Sequence, residues 1–265
     1  MFKSILAVSE GGPDAAMSFA LAQRIATVFD GTVDALHLAT KSDGSSLLNL
    51  WSTKDVESRA ERSAQVYDEF VAALPGATYT AATTIPPLEA LVTMGRVSDV
   101  IVLGRPGTDP ANEAPAAINT ALNECARAVM IGPPLLGAGP FDSVVLAWNG
   151  SFEATRAVEH AMPFLVRAKE ITIVVVGKKP DDVAASYLAR NLQRHGLKTH
   201  IDAIDPGAVS GRARGRALLN FTRDKGANLL VMGSYGDGRL SNFLGLGGAT
   251  SKVISSCPIP VLMAH

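Results

Sequence analysis

The sequence predicts an α/β protein made of two successive doubly wound domains, each with a five-stranded parallel sheet. Three observations predict it. Short apolar runs alternate with helical patterns along the chain, as βα units feeding a sheet buried on both faces require. One set of runs then occurs twice in the same order. Ser4-Ile5-Leu6-Ala7-Val8-Ser9-Glu10-Gly11-Gly12 returns after 139 residues as Ser143-Val144-Val145-Leu146-Ala147-Trp148-Asn149-Gly150-Ser151. Ser98–Gly104 returns after 129 residues as Ala227–Gly233, and Cys125–Ile131 after 132 as Cys257–Met263. The unequal shifts are those of duplicated halves whose loops diverged in length. Finally, Gly132-Pro133-Pro134-Leu135-Leu136-Gly137-Ala138-Gly139-Pro140 can hold neither a helix nor a central strand, which divides the chain into domains at 1–136 and 137–265.

In chain order, Ile5–Val8 is the first strand. It ends in the turn Ser9-Glu10-Gly11-Gly12-Pro13-Asp14, with Pro13 placed in a first helical turn as proline prefers. Val33–Leu38 is the second strand, followed by an insertion beginning Ser42-Asp43-Gly44-Ser45-Ser46. Thr80–Ile85, Val100–Leu103 and Val129–Ile131 complete the first half. The second half reads Val144–Ala147, Ile171–Val176, His200–Ile204, Asn228–Met232 and Val261–Met263 as strands, with helices near 152–168, 182–195, 211–225 and 248–256. Right-handed crossovers wind each set into an open sheet, where ligands settle beyond the carboxyl ends of strands at the point of reversal. The loops after strands one and four are therefore the place to look for function.

Composition excludes several function classes. Lys+Arg 24 against Asp+Glu 25 gives a net charge of −1, so no global field draws the molecule to nucleic acid or to a membrane surface. Cys125 and Cys257 make neither a disulfide framework nor a metal site. No apolar run approaches the ~20 residues that span a bilayer, and the run at Ile5 is too short for a signal segment, so a reducing, cytoplasmic location is expected. His37, His160, His195, His200 and His265 show no spacing of a zinc site or a catalytic triad. Arg212-Ala213-Arg214-Gly215-Arg216 is the densest basic cluster; without interleaved aromatics it reads as a solvated loop or helix start rather than a phosphate or RNA site.

After the fourth strand of the second half, the window Gly233–Thr250 carries six glycines. Glycine admits positive φ and close approach, so successive N–H groups can form a nest for an anion. The helix opening near Gly248 adds its unpaired N–H groups and positive pole. With Leu146-Ala147-Trp148-Asn149-Gly150-Ser151, the run Gly226-Ala227-Asn228-Leu229-Leu230-Val231-Met232-Gly233-Ser234-Tyr235-Gly236 and Ser256-Cys257-Pro258-Ile259-Pro260-Val261-Leu262, the second half resembles the universal stress protein family, and the whole chain resembles its tandem form. The resemblance implies two flavodoxin-like, Rossmann-like domains of the adenine nucleotide alpha hydrolase type. It covers 141–265 and, more faintly, 1–134. ATP-binding members carry Gly-x2-Gly-x9-Gly-Ser/Thr in this loop. Gly233 and Gly236 match its first two glycines, but ten residues precede Gly247, and Gly248 stands where Ser or Thr is usual. Carried over position by position, the resemblance implies a nucleotide site of Ala147, Trp148, Asn149, Val176, Met232, Gly233, Tyr235, Gly236, Gly247, Gly248, Ala249 and Thr250. Asn149 replaces the family's Asp, keeping hydrogen-bonding capacity without the charge. Trp148 either stacks on a base or packs at the strand end. ATP, with Mg2+, is the implied ligand.

The first half keeps Gly104-Arg105-Pro106-Gly107, but Thr108–Pro115 follows with Asp109 and Glu113 and no later glycine pair, so this half is expected to be free of nucleotide. The resemblance implies that it pairs with the second half as a pseudo-dimer, joined through the fifth strands; further homodimerisation is left open. Ser9-Glu10-Gly11-Gly12-Pro13-Asp14 also resembles, poorly, the Ser-Gly-Gly-x-Asp-Ser loop of ATP pyrophosphatases. The expected function is a nucleotide-binding regulator of the stress response without evident catalytic residues, at most a slow ATPase. Its rivals are a scaffold that has lost nucleotide binding and an adenylating enzyme.

Overall fold

The computed structural model describes residues 1–9, 15–38, 64–81, 86–106, 116–133, 136–137, 139–176, 183–205, 207, 210–234 and 248–265. The first half runs β1 (Ser4–Ser9), α1 (Ala15–Phe29), β2 (Thr32–His37), α2 (64–73), β3 (Thr78–Ala81), α3 (Pro87–Gly95), β4 (Val100–Gly104), α4 (Ala116–Glu124) and β5 (Ala128–Gly132). The second runs β6 (Ser143–Trp148), α5 (Phe152–Leu165), β7 (Glu170–Val176), α6 (Val183–Arg194), β8 (Thr199–Ile204), α7 (Gly211–Asp224), β9 (Leu229–Gly233), α8 (Gly248–Ser256) and β10 (Val261–Ala264). The strand expected over Thr80–Ile85 starts two residues earlier, because Thr78 and Tyr79 pair with Asp34 and Ala35 of β2. Tyr79 also packs its ring 5.0 Å from Phe70 and 5.2 Å from Tyr67 on α2.

The ten strands of the described residues form one sheet in the order β3-β2-β1-β4-β5-β10-β9-β6-β7-β8. Within each half the neighbours are parallel and the winding reverses after the first strand, between β1 and β4 and between β6 and β9. The fifth strands join the halves, as expected, and do so antiparallel, with Val261 opposite Ile131 and Met263 opposite Val129. Side chains alternate across the sheet. On β6, Val144 and Leu146 enter the core under α1, α2, α5 and α6, while Val145 enters the core under α3, α4, α7 and α8. The result is a three-layer α/β/α sandwich.

An aromatic cluster and two arginines also tie the two halves. Phe2 and Phe29 of the first meet Phe141 and Phe164 of the second, with Phe164 5.2 Å from Phe2, 5.0 Å from Phe29 and 4.9 Å from Phe141. Arg24 lies 4.4 Å over the Phe141 ring and donates to the Gly137 carbonyl at 2.5 Å, while Arg167 lies 5.2 Å over Phe29.

At the strand starts, the Asp99 carboxylate accepts the N–H groups of Lys3 (2.6 Å) and Ser4 (2.9 Å). Asn228 takes the same place in the second half, accepting Ser143 N–H at 3.1 Å and donating to Asp142 at 2.8 Å. The flanking ion pairs are reversed: Lys3 with Asp30 at 3.0 Å, Asp142 with Lys169 at 2.9 Å. Burial raises the Asp99 carboxyl, but the Ser4 and Lys3 amides and nearby positive charge outweigh it and hold it below its ordinary value. A depressed carboxylate stabilises the fold above its unfolded pKa and ceases to as pH falls through the folded one. Asp99→Asn is therefore expected to lower stability at neutral pH and to flatten the loss of stability below about pH 4, read from urea midpoints between pH 2 and 7.

Candidate functional site

The carboxyl ends of β6 and β9 lie side by side, with Ala147 in register with Met232. Ala147 and Trp148 point to opposite faces. Trp148 packs against the core that lies under α5 and α6, and its buried indole N–H has no acceptor among the described residues. Beyond it, the Asn149 side-chain oxygen accepts Ser151 N–H at 3.0 Å. Gly150 at φ 74° makes the bend, and Ser151 caps α5 by accepting Ala154 N–H at 3.1 Å. The Asn149 oxygen thus accepts one bond within the turn. Val176 closes β7 one residue past Val175, the partner of Trp148.

Gly233 ends β9 against the first turn of α5: a Cβ there would stand 2.6 Å from Ala154 N and 2.7 Å from the Glu153 carbonyl carbon. Glycine is required here for close packing as well as for any loop geometry. Ser234 anchors the chain to the end of β10, donating its N–H (2.8 Å) and hydroxyl (3.0 Å) to the Ala264 carbonyl. Of the remaining sequence-predicted site residues, Tyr235, Gly236 and Gly247 lie outside the described residues.

Gly248, Ala249 and Thr250 open α8, with Thr250 buried at 5% exposure. The first turn of α8 meets the first turn of α7 backbone to backbone. A Cβ on Gly248 would lie 2.9 Å from Arg212 N, one on Gly211 3.2 Å from Ala249 N, and one on Gly215 2.9 Å from the Ala249 carbonyl oxygen. Two positive helix poles are therefore brought together, neither with an acidic residue in its first turn, and Arg212, Arg214 and Arg216 stand on α7 beside them. The cluster expected as a solvated loop or helix start opens α7, and Gly211 and Gly215 make the α7–α8 contact. Their spacing of four, which puts both on one helical face, is the signal that marks them.

In the first half, Arg105 follows β4 where Ser234 follows β9. Its N–H donates to the Gly132 carbonyl at 2.9 Å, and Nη1 donates across the seam to the Cys257 carbonyl at 3.2 Å. Gly107–Pro115 and Glu10–Asp14, which bear on a first-half ligand and on the pyrophosphatase-like loop, lie outside the described residues. Burial pushes the Cys257 thiol up to about 11 and raises Cys125 as well, which keeps both protonated and poorly nucleophilic. Among the described residues no group of three or more His, Cys, Asp or Glu side chains could hold a metal, and no helix is long and apolar enough to cross a membrane.

Residues 140–265 match the universal stress protein family. No curated protein matches the chain. Among solved structures, a universal stress protein from Archaeoglobus fulgidus DSM 4304 is 19% identical, with a TM-score of 0.70 over 98% of this chain and 97% of that one. A putative universal stress protein from Pseudomonas aeruginosa UCBPP-PA14 is 16% identical, with a TM-score of 0.56 over 99% of this chain and 93% of that one. A universal stress protein in complex with cAMP is 22% identical, with a TM-score of 0.39 over 48% of this chain and 98% of that one.

Proposed function

Because residues 140–265 match the universal stress protein family, we propose that the chain is a regulatory protein of the stress response that holds an adenine nucleotide in its second half, residues 137–265. ATP accompanied by Mg2+ is the ligand, the first half (1–136) is its pseudo-dimer partner, and the protein works in the cytoplasm. The observation that supports this reading is the pairing of the α7 and α8 amino termini, held by Gly211, Gly215 and Gly248. Two helix amino termini without an acidic first-turn residue put two positive poles at one place, which favours a polyphosphate. The Asn149 amide and the Ala147, Trp148, Val176 and Met232 strand ends would frame the base. No described side chain is placed as a general base, and occupancy rather than turnover carries the signal, biasing which surfaces partners meet.

A second reading, a scaffold that no longer binds nucleotide, has one observation in its favour: the Asn149 oxygen is already bonded to Ser151 N–H. Melting with ATP separates the two. A ligand at a hundred times its Kd stabilises by about 2.7 kcal/mol. Millimolar ATP is expected to raise Tm by several degrees, with Gly236→Val abolishing the rise and Gly107→Val leaving it intact. A melting curve indifferent to ATP, together with no nucleotide released from the purified protein, would establish the scaffold. Equal loss from both variants would place the ligand elsewhere.

A further inference from the structure

We propose that α8 connects the nucleotide cradle to the first half, and that Arg105 is the residue through which the first half senses occupancy. The inference rests on the nucleotide reading above. α8 has nine residues, about 13 Å of helix, and its two ends answer to different halves. Its first residue packs directly on the backbone of α7, where a Cβ on Gly248 would lie 2.9 Å from Arg212 N. Its far end is continued by Cys257, whose N–H bonds the Val253 carbonyl at 2.8 Å and whose carbonyl accepts Arg105 Nη1 at 3.2 Å. A cation is favoured at this negative helix pole. Arg105 is itself fixed to the first half by its N–H bond to Gly132, at the end of β5. Among the described residues its buried Nε has no acceptor, and the Cys257 carbonyl is the acceptor they give its Nη1.

The duplicated fold does not need this bond. At the equivalent point of the second half, Ser234 bonds the Ala264 carbonyl of its own half. At the end of α4, the counterpart of α8, the Glu124 carbonyl accepts Arg96 Nε at 3.0 Å, again within one half. Arg105 crosses where its counterparts do not. A movement of α8 on binding phosphate is thereby passed to Arg105 and, through it, to the ends of β4 and β5.

Hydrogen exchange on the full chain, with and without ATP and Mg2+, tests the link, with ATP binding followed by calorimetry on the same samples. In the native protein, ATP should slow exchange in α8 and also at the ends of β4 and β5. Arg105→Ala should keep ATP binding and the slowing in α8 while losing the slowing in β4 and β5. Arg105→Lys, which keeps the cation on a less directional donor, should recover it in part. Slowing confined to α8 in the native protein, or retained in β4 and β5 of Arg105→Ala, overturns the link and leaves the nucleotide reading standing. Absence of ATP binding by calorimetry overturns the nucleotide reading and the link with it.

Discussion

Gly233→Val is expected to destabilise the protein by about 3 kcal/mol and to abolish its response to ATP. The added Cβ alone would lie 2.6 Å from Ala154 N, 2.7 Å from the Glu153 carbonyl carbon and 2.9 Å from Glu153 Cβ. The first two are backbone atoms in the capped first turn of α5, which Ser151 holds in place. β9 cannot retreat either, because it is paired on both sides, with β10 and β6. Strain must then separate α5 from the sheet where the strand ends frame the candidate site. For a chain of this size the loss corresponds to a fall in Tm of roughly 6–12 °C by calorimetry. Gly196→Ala is the control: its φ of 78° carries a conformational cost of about 1 kcal/mol, but its Cβ would meet nothing within 4 Å. Gly196→Ala should keep the ATP response. An equally mild result for Gly233→Val would show that α5 yields readily at this contact.

Phe164→Ala is expected to cost about 3–5 kcal/mol, the range for deleting a fully buried aromatic ring. Phe164 is 1% exposed and stands at the centre of the cross-half cluster, in ring contact with Phe2, Phe29 and Phe141. Two of those rings belong to the first half and one to the second, so the cavity loosens the seam as well as α5. The urea midpoint should fall for circular dichroism and tryptophan fluorescence alike, because both halves share the sheet. Phe164→Leu, closer in volume, should lose less than about half as much. A full-sized loss confined to the second half would mean that the joint rests on β5 and β10 alone.

The sequence made legible what is local. Repeated runs such as Val100–Leu103 and Leu229–Met232 announce the strands because burial on both faces leaves an uninterrupted apolar stretch, and the duplicated order announces the two halves. Contacts between distant segments were not legible. Gly233 reads as a loop glycine, yet its tightest neighbour is Ala154, brought there by strand order and helix placement. Gly211 and Gly215 were hidden among arginines, whose charge dominates any reading by composition, although their spacing on one face was there to be used. Asn149 reads as a base-contacting residue by position, and only the backbone path through Gly150 shows its oxygen engaged with Ser151. Arg105 carries no local sign that its partner is Cys257 in the other half.

The reversed charges at the strand starts bear on how a chain containing two similar units avoids assembling them wrongly. During synthesis β1 and β6 compete for equivalent berths, and misassembly between like repeats is a common failure of such chains. With β1 in the wrong berth, Lys3 would face Lys169; with β6 in the wrong one, Asp142 would face Asp30 and Asp99 in place of Lys169 and the Asn228 amide. Each mismatch is a modest penalty on its own, since exposed ion pairs contribute little. Imposed at both berths at once, they favour the correct threading from the earliest encounters and give divergence between the repeats a value unconnected with any ligand.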